Sequence, residues 1–271
     1  MTPAPAPWLV PDWPAPAGVR AIFTLRGADA AQGASTGPWR HFNLGDHVGD
    51  DPQAVAANRA RLQQLGPMRP VFLQQVHGSN VLQLSAETPH GTAADAALTT
   101  ERALAATVLV ADCLPILLTD RRGQRVAAIH AGWRGLVGGV IDRAFERFMA
   151  LAPANKAQAA IHIEANDVLA WLGPCIGPGA FEVGAEVRAA FVYADAPADA
   201  CFRARGGGKY LADLPALARR RLTRLGVTQI HGNDGGAGWC TVGDEARFFS
   251  YRRDQQRLGG SGRMAACIWR V

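Results

Sequence analysis

Three short segments place a metal-capable or nucleophilic side chain beside tight-turn glycines or a proline: Gln74-Gln75-Val76-His77-Gly78, Ala111-Asp112-Cys113-Leu114-Pro115 and Ala128-Ile129-His130-Ala131-Gly132-Trp133-Arg134-Gly135. If the connection from Asp120 to Arg125 is a hairpin with those two residues opposed, paired positions sum to 245 and Cys113 faces Gly132. Cys113 and His130 then share one face of the sheet as diagonal neighbours, about 7–8 Å apart at Cα. Two side chains can close that gap onto one ion with bonds of roughly 2.0–2.3 Å. His77, expected in the turn of another hairpin, could supply a third ligand. Two His and one Cys would leave a fourth tetrahedral position open, as in catalytic zinc sites, where the ion acts as a Lewis acid and lowers the pKa of bound water to about 7. Spacing equally allows Cys113 to be a nucleophile with His130 as its base. The bland reading is a buried cysteine and two unremarkable strand histidines.

These segments need sheet and turn around them. Val19–Leu25 reads as a strand, Gly27–Gly45 as a long Gly/Ala/Ser-rich loop, and Asp51-Pro52 as the start of a helix through Leu65. Val71–Val76 and Val81–Leu84 are expected to form a hairpin around His77-Gly78-Ser79-Asn80. Further strands are expected at 108–110, 116–119, 126–129, 160–163, 168–172, 248–252 and 264–269, with helices over 136–151, 183–192 and 211–225. Few βαβ alternations and several hairpins point to an α/β (α+β-like) layered fold with a mixed central sheet. Residues 1–18 read as a Pro-rich lead and 19–271 as a single domain.

Composition narrows the classes. The 271-residue chain has 28 basic against 23 acidic residues, yet Lys156 and Lys209 are its only lysines and no long basic run occurs, so nucleic-acid binding has no support from charge. The apolar stretch Leu104–Leu118 is interrupted by Asp112, Cys113 and Pro115, so no membrane anchor is expected, and the absence of a basic n-region followed by an apolar run leaves the cytoplasm as the expected location. Five widely spaced cysteines without a Cys-x-x-Cys pair argue against a disulfide framework. Arg26, Arg40, Arg134, Arg252 and Arg253 are candidate anion ligands, since the guanidinium fork matches phosphate oxygens; for any single one, solvated charge is the competing reading.

Taken in order, the motifs resemble the YfiH family, also known as DUF152 or the laccase-domain (polyphenol oxidoreductase) family and treated as purine nucleoside phosphorylases. The resemblance runs from about Phe23 to Trp269. It includes Phe42-Asn43-Leu44-Gly45, His47-Val48-Gly49-Asp50-Asp51-Pro52, Gln75-Val76-His77-Gly78, Asp95-Ala96-Ala97 and Ala111-Asp112-Cys113-Leu114-Pro115. It continues through His130-Ala131-Gly132-Trp133-Arg134-Gly135, Gly173-Pro174-Cys175-Ile176-Gly177-Pro178 and Phe248-Phe249-Ser250-Tyr251-Arg252-Arg253-Asp254. The chain departs from the family pattern at Arg26-Gly27-Ala28-Asp29 and at the insertion Gln255–Gly260.

The resemblance implies that His77, Cys113 and His130 are metal ligands, for zinc or else copper. It also implies that purine nucleosides (adenosine, inosine, guanosine, methylthioadenosine) are split with phosphate and that adenosine is deaminated. Arg26, Asn43 and Arg253 are then expected to contact phosphate or substrate, Cys113 and His130 to take part in catalysis, and Asp95, with Asp112 as the other candidate, to move a proton. Two other activities attach to the family: copper-dependent polyphenol oxidation and hydrolytic editing of peptidoglycan precursors. Seven histidines with no His-x-His pair argue against a multicopper centre.

Overall fold

The computed structural model describes residues 8–152 and 163–271. In chain order it contains β1 (Trp8–Leu9), β2 (Val19–Thr24), α1 (Pro52–Gln63), β3 (Arg69–Val71), β4 (Val81–Gln83), β5 (Ala96–Thr99), β6 (Leu104–Val110), β7 (Leu114–Asp120) and β8 (Val126–Ala131). There follow α2 (Trp133–Val137), α3 (Val140–Ala150), β9 (Val168–Leu172), β10 (Glu182–Gly184), α4 (Ala185–Ala194), β11 (Phe202–Gly206), β12 (Lys209–Ala212), α5 (Leu214–Arg224), β13 (Gln229–Gly232), α6 (Tyr251–Leu258) and β14 (Met264–Arg270).

The expected mixed α/β class holds, with the strands divided among three sheets. A five-stranded sheet runs β1-β2-β14-β6-β3 and a six-stranded sheet runs β13-β9-β7-β8-β5-β4, while β10-β12-β11 form a small antiparallel one. Both large sheets are mixed: β3 is parallel to β6, β4 to β5 and β13 to β9, and the other pairs are antiparallel.

Side-chain alternation builds the layers. On β14, Met264, Ala266 and Ile268 pack with Val108 of β6 and with Leu117 and Ala128 of the other sheet, so the two large sheets lie face to face. The opposite parity, Ala265, Cys267 and Trp269, packs beneath Leu62 of α1. Ile116 and Ile129, on the outer face of the six-stranded sheet, bury against Phe145 and Phe148 of α3 and Leu217 of α5. The order is therefore helix, sheet, sheet, helices, with strand period 2 feeding each layer. Among the described residues no helix is long and apolar enough to cross a membrane.

The expected β7–β8 register is observed: Leu114 pairs with Ala131 and Pro115 with His130. Asp51 caps α1 by accepting from the Gln53 N–H, with Pro52 in the first turn.

Other expectations are corrected. Val71 and Val81 do not form a hairpin, because β3 and β4 belong to different sheets and the backbone turns between them at His77, φ 58°. The strand expected at 248–252 is a turn into α6, since the Ser250 side chain accepts from the Arg253 N–H and starts a helix. The helix expected over 136–151 is split at Gly139, which is left-handed at φ 80°. Trp8 and Leu9 pair with Thr24 and Phe23, which ties part of the Pro-rich lead to the sheet. The strand expected at 160–163 falls, except for Ile163, outside the described residues.

Candidate metal centre and active site

Cys113 precedes β7 and His130 lies on β8 with the parity that faces the space between the two large sheets. His77 reaches the same point from the turn after β3. The ligand atoms of His77, Cys113 and His130 all lie within 4.8 Å of one another, the only such group among the described residues. Cys113 Sγ is 3.7 Å from His77 Nε2. Bonds of roughly 2.3 Å to sulfur and 2.05 Å to nitrogen at a tetrahedral angle require a separation of about 3.6 Å, so the pair fits one ion. His77 is exposed, Cys113 half-buried and His130 buried, which leaves the centre open on one side.

Asp95 organises this centre. Fully buried at the start of β5, its Oδ1 is 2.9 Å from His130 Nδ1, which turns His130 Nε2 toward the other ligands. The same carboxylate accepts the N–H groups of His77 at 2.9 Å and Gly78 at 2.7 Å, fixing the left-handed turn that carries His77. One buried acid thus orients two of the three ligand side chains, the role expected of a group just behind a metal. Gly132 makes room for them: a Cβ there would lie 2.9 Å from Cys113 Sγ and 3.0 Å from His77 Cδ2.

Burial opposes ionisation of Cys113, but the charges and hydrogen bonds of His130 and His77 outweigh it and bring the thiol down to about 6. Burial likewise opposes protonation of His130, yet Cys113 and Asp95 raise it to about 9. Without an ion the two shifts favour a thiolate beside a protonated imidazole; a metal would displace the His130 Nε2 proton, and thiolate is the form that binds metal or attacks an electrophile.

A cavity of about 490 Å³ opens over these residues, within the roughly 300–1,000 Å³ of small-molecule sites. His47, Phe181 and Tyr251 contribute to its wall, together with Arg134, Arg252, Arg263 and Asp112. Asp112, left-handed at φ 87°, accepts the Thr241 hydroxyl at 2.5 Å and the Arg252 N–H at 2.7 Å, and burial pushes its carboxyl up. A second cavity of about 370 Å³ adjoins the first across His47 and Gln75.

Of the expected anion ligands, Arg134 and Arg252 line the cavity, whereas Arg26 and Arg253 do not. Arg26 is buried against Phe249 and donates to the Arg40 carbonyl. Arg253 is spent on Asp254 and on the carbonyls of Thr241 and Phe248. Asn43 is fully buried and bonds within its own loop and to the Arg263 N–H. Asp95, enclosed by His130 and the 76–78 turn, is likewise absent from the cavity wall. Spacing singles out none of His47, Tyr251 and Arg263; His47 and Tyr251 lie inside motifs quoted above, and Arg263 lies outside them.

Residues 20–271 match the family described as multi-copper polyphenol oxidoreductase laccase. The chain belongs to this laccase-domain family. Laccase-domain relatives include proteins named purine nucleoside phosphorylase in Pseudomonas aeruginosa, 45% identical over 97% of this chain and 98% of that one, and in Escherichia coli, where YfiH is 46% identical over the same shares. Among solved structures, a DUF152 protein of Neisseria meningitidis is 40% identical with a TM-score of 0.86, covering 97% of this chain and 99% of its own. YlmD from Geobacillus stearothermophilus is 30% identical with a TM-score of 0.78, over 94% and 92%. The laccase-domain family description speaks of several coppers, whereas the described residues here bring together ligands for one ion.

Proposed function

We propose that this chain is a zinc-dependent purine nucleoside phosphorylase that also deaminates adenosine. The observation that carries the reading is the meeting of three metal-capable side chains at the base of a nucleoside-sized cavity lined by three arginines. The names of close relatives support the same class. His77, Cys113 and His130 would hold the ion, which when bound supplies a Lewis acid and positive charge. The thiolate and two imidazoles suit zinc, and Cu(II) is the competitor at such N/S sites.

In phosphorolysis a phosphate oxygen bonds to the anomeric carbon of the ribose as the bond from that carbon to the purine nitrogen breaks. The electron pair leaves on the purine, which takes a proton. The cavity arginines attract and orient the phosphate against the sugar, and Phe181 and Tyr251 offer aromatic faces to the base. Deamination exchanges the purine amine for the oxygen of water and releases ammonia. Asp112 is the carboxyl that lines the cavity and is therefore the better placed of the two acids considered for it.

The test is base release from adenosine and inosine by zinc-loaded protein, with and without phosphate, beside Cys113→Ala. The expected result is ribose 1-phosphate formed only with phosphate and lost in the variant, with inosine appearing from adenosine when phosphate is omitted. No base release from either nucleoside overturns the phosphorylase reading. Persistent adenosine without inosine removes the deaminase part.

A further inference from the structure

Three arginines line the metal cavity, and Arg263 is built into it differently from the others. Arg134 is exposed and lies over the Trp133 ring. Arg252 directs Nη2 to the Glu182 carbonyl at 3.1 Å. Arg263 is half-buried just before β14, with Nη1 donating to the Ser261 and Gly262 carbonyls, each at 3.0 Å. Its Nε and Nη2 have no hydrogen-bond partner among the described residues, and no carboxylate there comes within 4.0 Å of the guanidinium.

The backbone of Arg263 is gripped on both sides. Its N–H donates to Asn43 Oδ1 at 2.8 Å and its carbonyl accepts from the Leu44 N–H at 3.1 Å. Asn43 is itself fixed, accepting from the Gly45 N–H at 2.9 Å and donating to Asp50 at 2.8 Å. Gly45 clears the way for the side chain, since a Cβ there would sit 2.7 Å from Arg263 Cγ. A loop more than 200 residues away in sequence thus holds one arginine of the cavity wall by its main chain.

A guanidinium on a cavity wall with Nε and Nη2 unspent and no carboxylate within 4.0 Å favours an anion, and its planar fork matches the oxygens of a tetrahedral oxyanion. We infer that Arg263 is the oxyanion-binding group of this cavity and that Asn43 is a positioning residue acting through it. The anion class is phosphate or a close analogue such as arsenate. The inference rests on the phosphorylase reading only in making that anion a co-substrate.

Inorganic phosphate titrated calorimetrically, without nucleoside, into metal-free and zinc-loaded protein provides the test. Arg263→Gln is expected to weaken binding at least tenfold in both forms, and Arg263→Lys, which keeps the charge without the fork, to fall between. Asn43→Ala is expected to weaken it several-fold. Ser35→Ala removes a 2.6 Å hydrogen bond to Asp50 in the same loop network without touching Arg263, and is expected to leave binding unchanged. Should Asn43→Ala fail to fold, Gly45→Ala, which crowds Arg263 from the same loop, is expected to weaken binding in its place.

Undiminished binding in both Arg263 variants overturns the assignment, as does loss confined to Arg252→Gln. Equal weakening in Asn43→Ala and Ser35→Ala overturns the positioning role. Arg263-dependent phosphate binding with no base release leaves this site standing and removes the phosphorylase reading. Phosphorolysis with an unchanged KM for phosphate in Arg263→Gln does the reverse.

Discussion

Asp95 is the residue on which the centre turns, because its two carboxylate oxygens serve His130 Nδ1 and the backbone that carries His77. Replacing it with Asn preserves shape but removes the charge that supports His130 and exchanges one acceptor for a donor. Asp95→Asn is therefore expected to weaken zinc binding by about 10–100-fold, the usual cost of losing a group that orients a ligand. Competition with a chromophoric chelator checks it, and wild-type affinity would show that the ligands hold their geometry unaided. The approach of Cys113 to His130 was legible from residue type and strand register, which obey local rules, whereas His77 was expected in a hairpin that does not form. The anion ligands were not, since a sequence does not show which arginines are already spent: Arg253 satisfies the carbonyls of Thr241 and Phe248, and Arg263 meets Asn43 only through the tertiary fold.

Elements deliver these residues to one point, and their ends matter more than their middles. The β7–β8 hairpin sets Cys113 against Gly132, and α2 begins immediately after that glycine. Gly132→Ala would push a methyl into Cys113 Sγ and His77 Cδ2, neither of which can retreat without leaving the ligand cluster. The expected outcome is impaired zinc binding with secondary structure intact, read by metal content against circular dichroism. At α6, the Ser250 side chain caps the first turn just ahead of Tyr251 and Arg252 on the cavity wall. Ser250→Ala is expected to cost about 1 kcal/mol in urea unfolding. The aromatic run Phe248-Phe249-Ser250-Tyr251 reads locally as a strand, yet both phenylalanines bury in the core while Ser250 starts a helix. β-propensity there was overridden by a cap, and the hairpin expected around His77 was overridden by the two flanking strands joining different sheets.

At the scale of the whole molecule, the mixed α/β class was readable, but the single central sheet expected is in fact two large sheets packed face to face, since buried strands such as β7 and β8 show no polar face to mark their partner. Acid tests how the closing segment is tied to the core. Asp254 is buried, and although burial raises its carboxyl, the Arg253 fork and the Ser250 N–H lower it on balance. A depressed carboxyl adds stability that is complete above its unfolded value, near 4, and is lost as pH falls through the lower folded value. Urea midpoints between about pH 3 and pH 6 should therefore fall more steeply in the wild type than in Asp254→Asn. A bound metal would add a second global linkage, because the three side chains that could hold it come from the turn after β3, the residue before β7 and strand β8, and only the folded chain brings them together. Free zinc at about 100 times its Kd would stabilise the fold by about 2.7 kcal/mol. At roughly 2–4 °C per kcal/mol for a chain near this size, that is a rise in Tm of roughly 5–10 °C. The rise should disappear on chelation and in Cys113→Ala, and a Tm indifferent to zinc in the wild type would mean that the three side chains do not hold the ion.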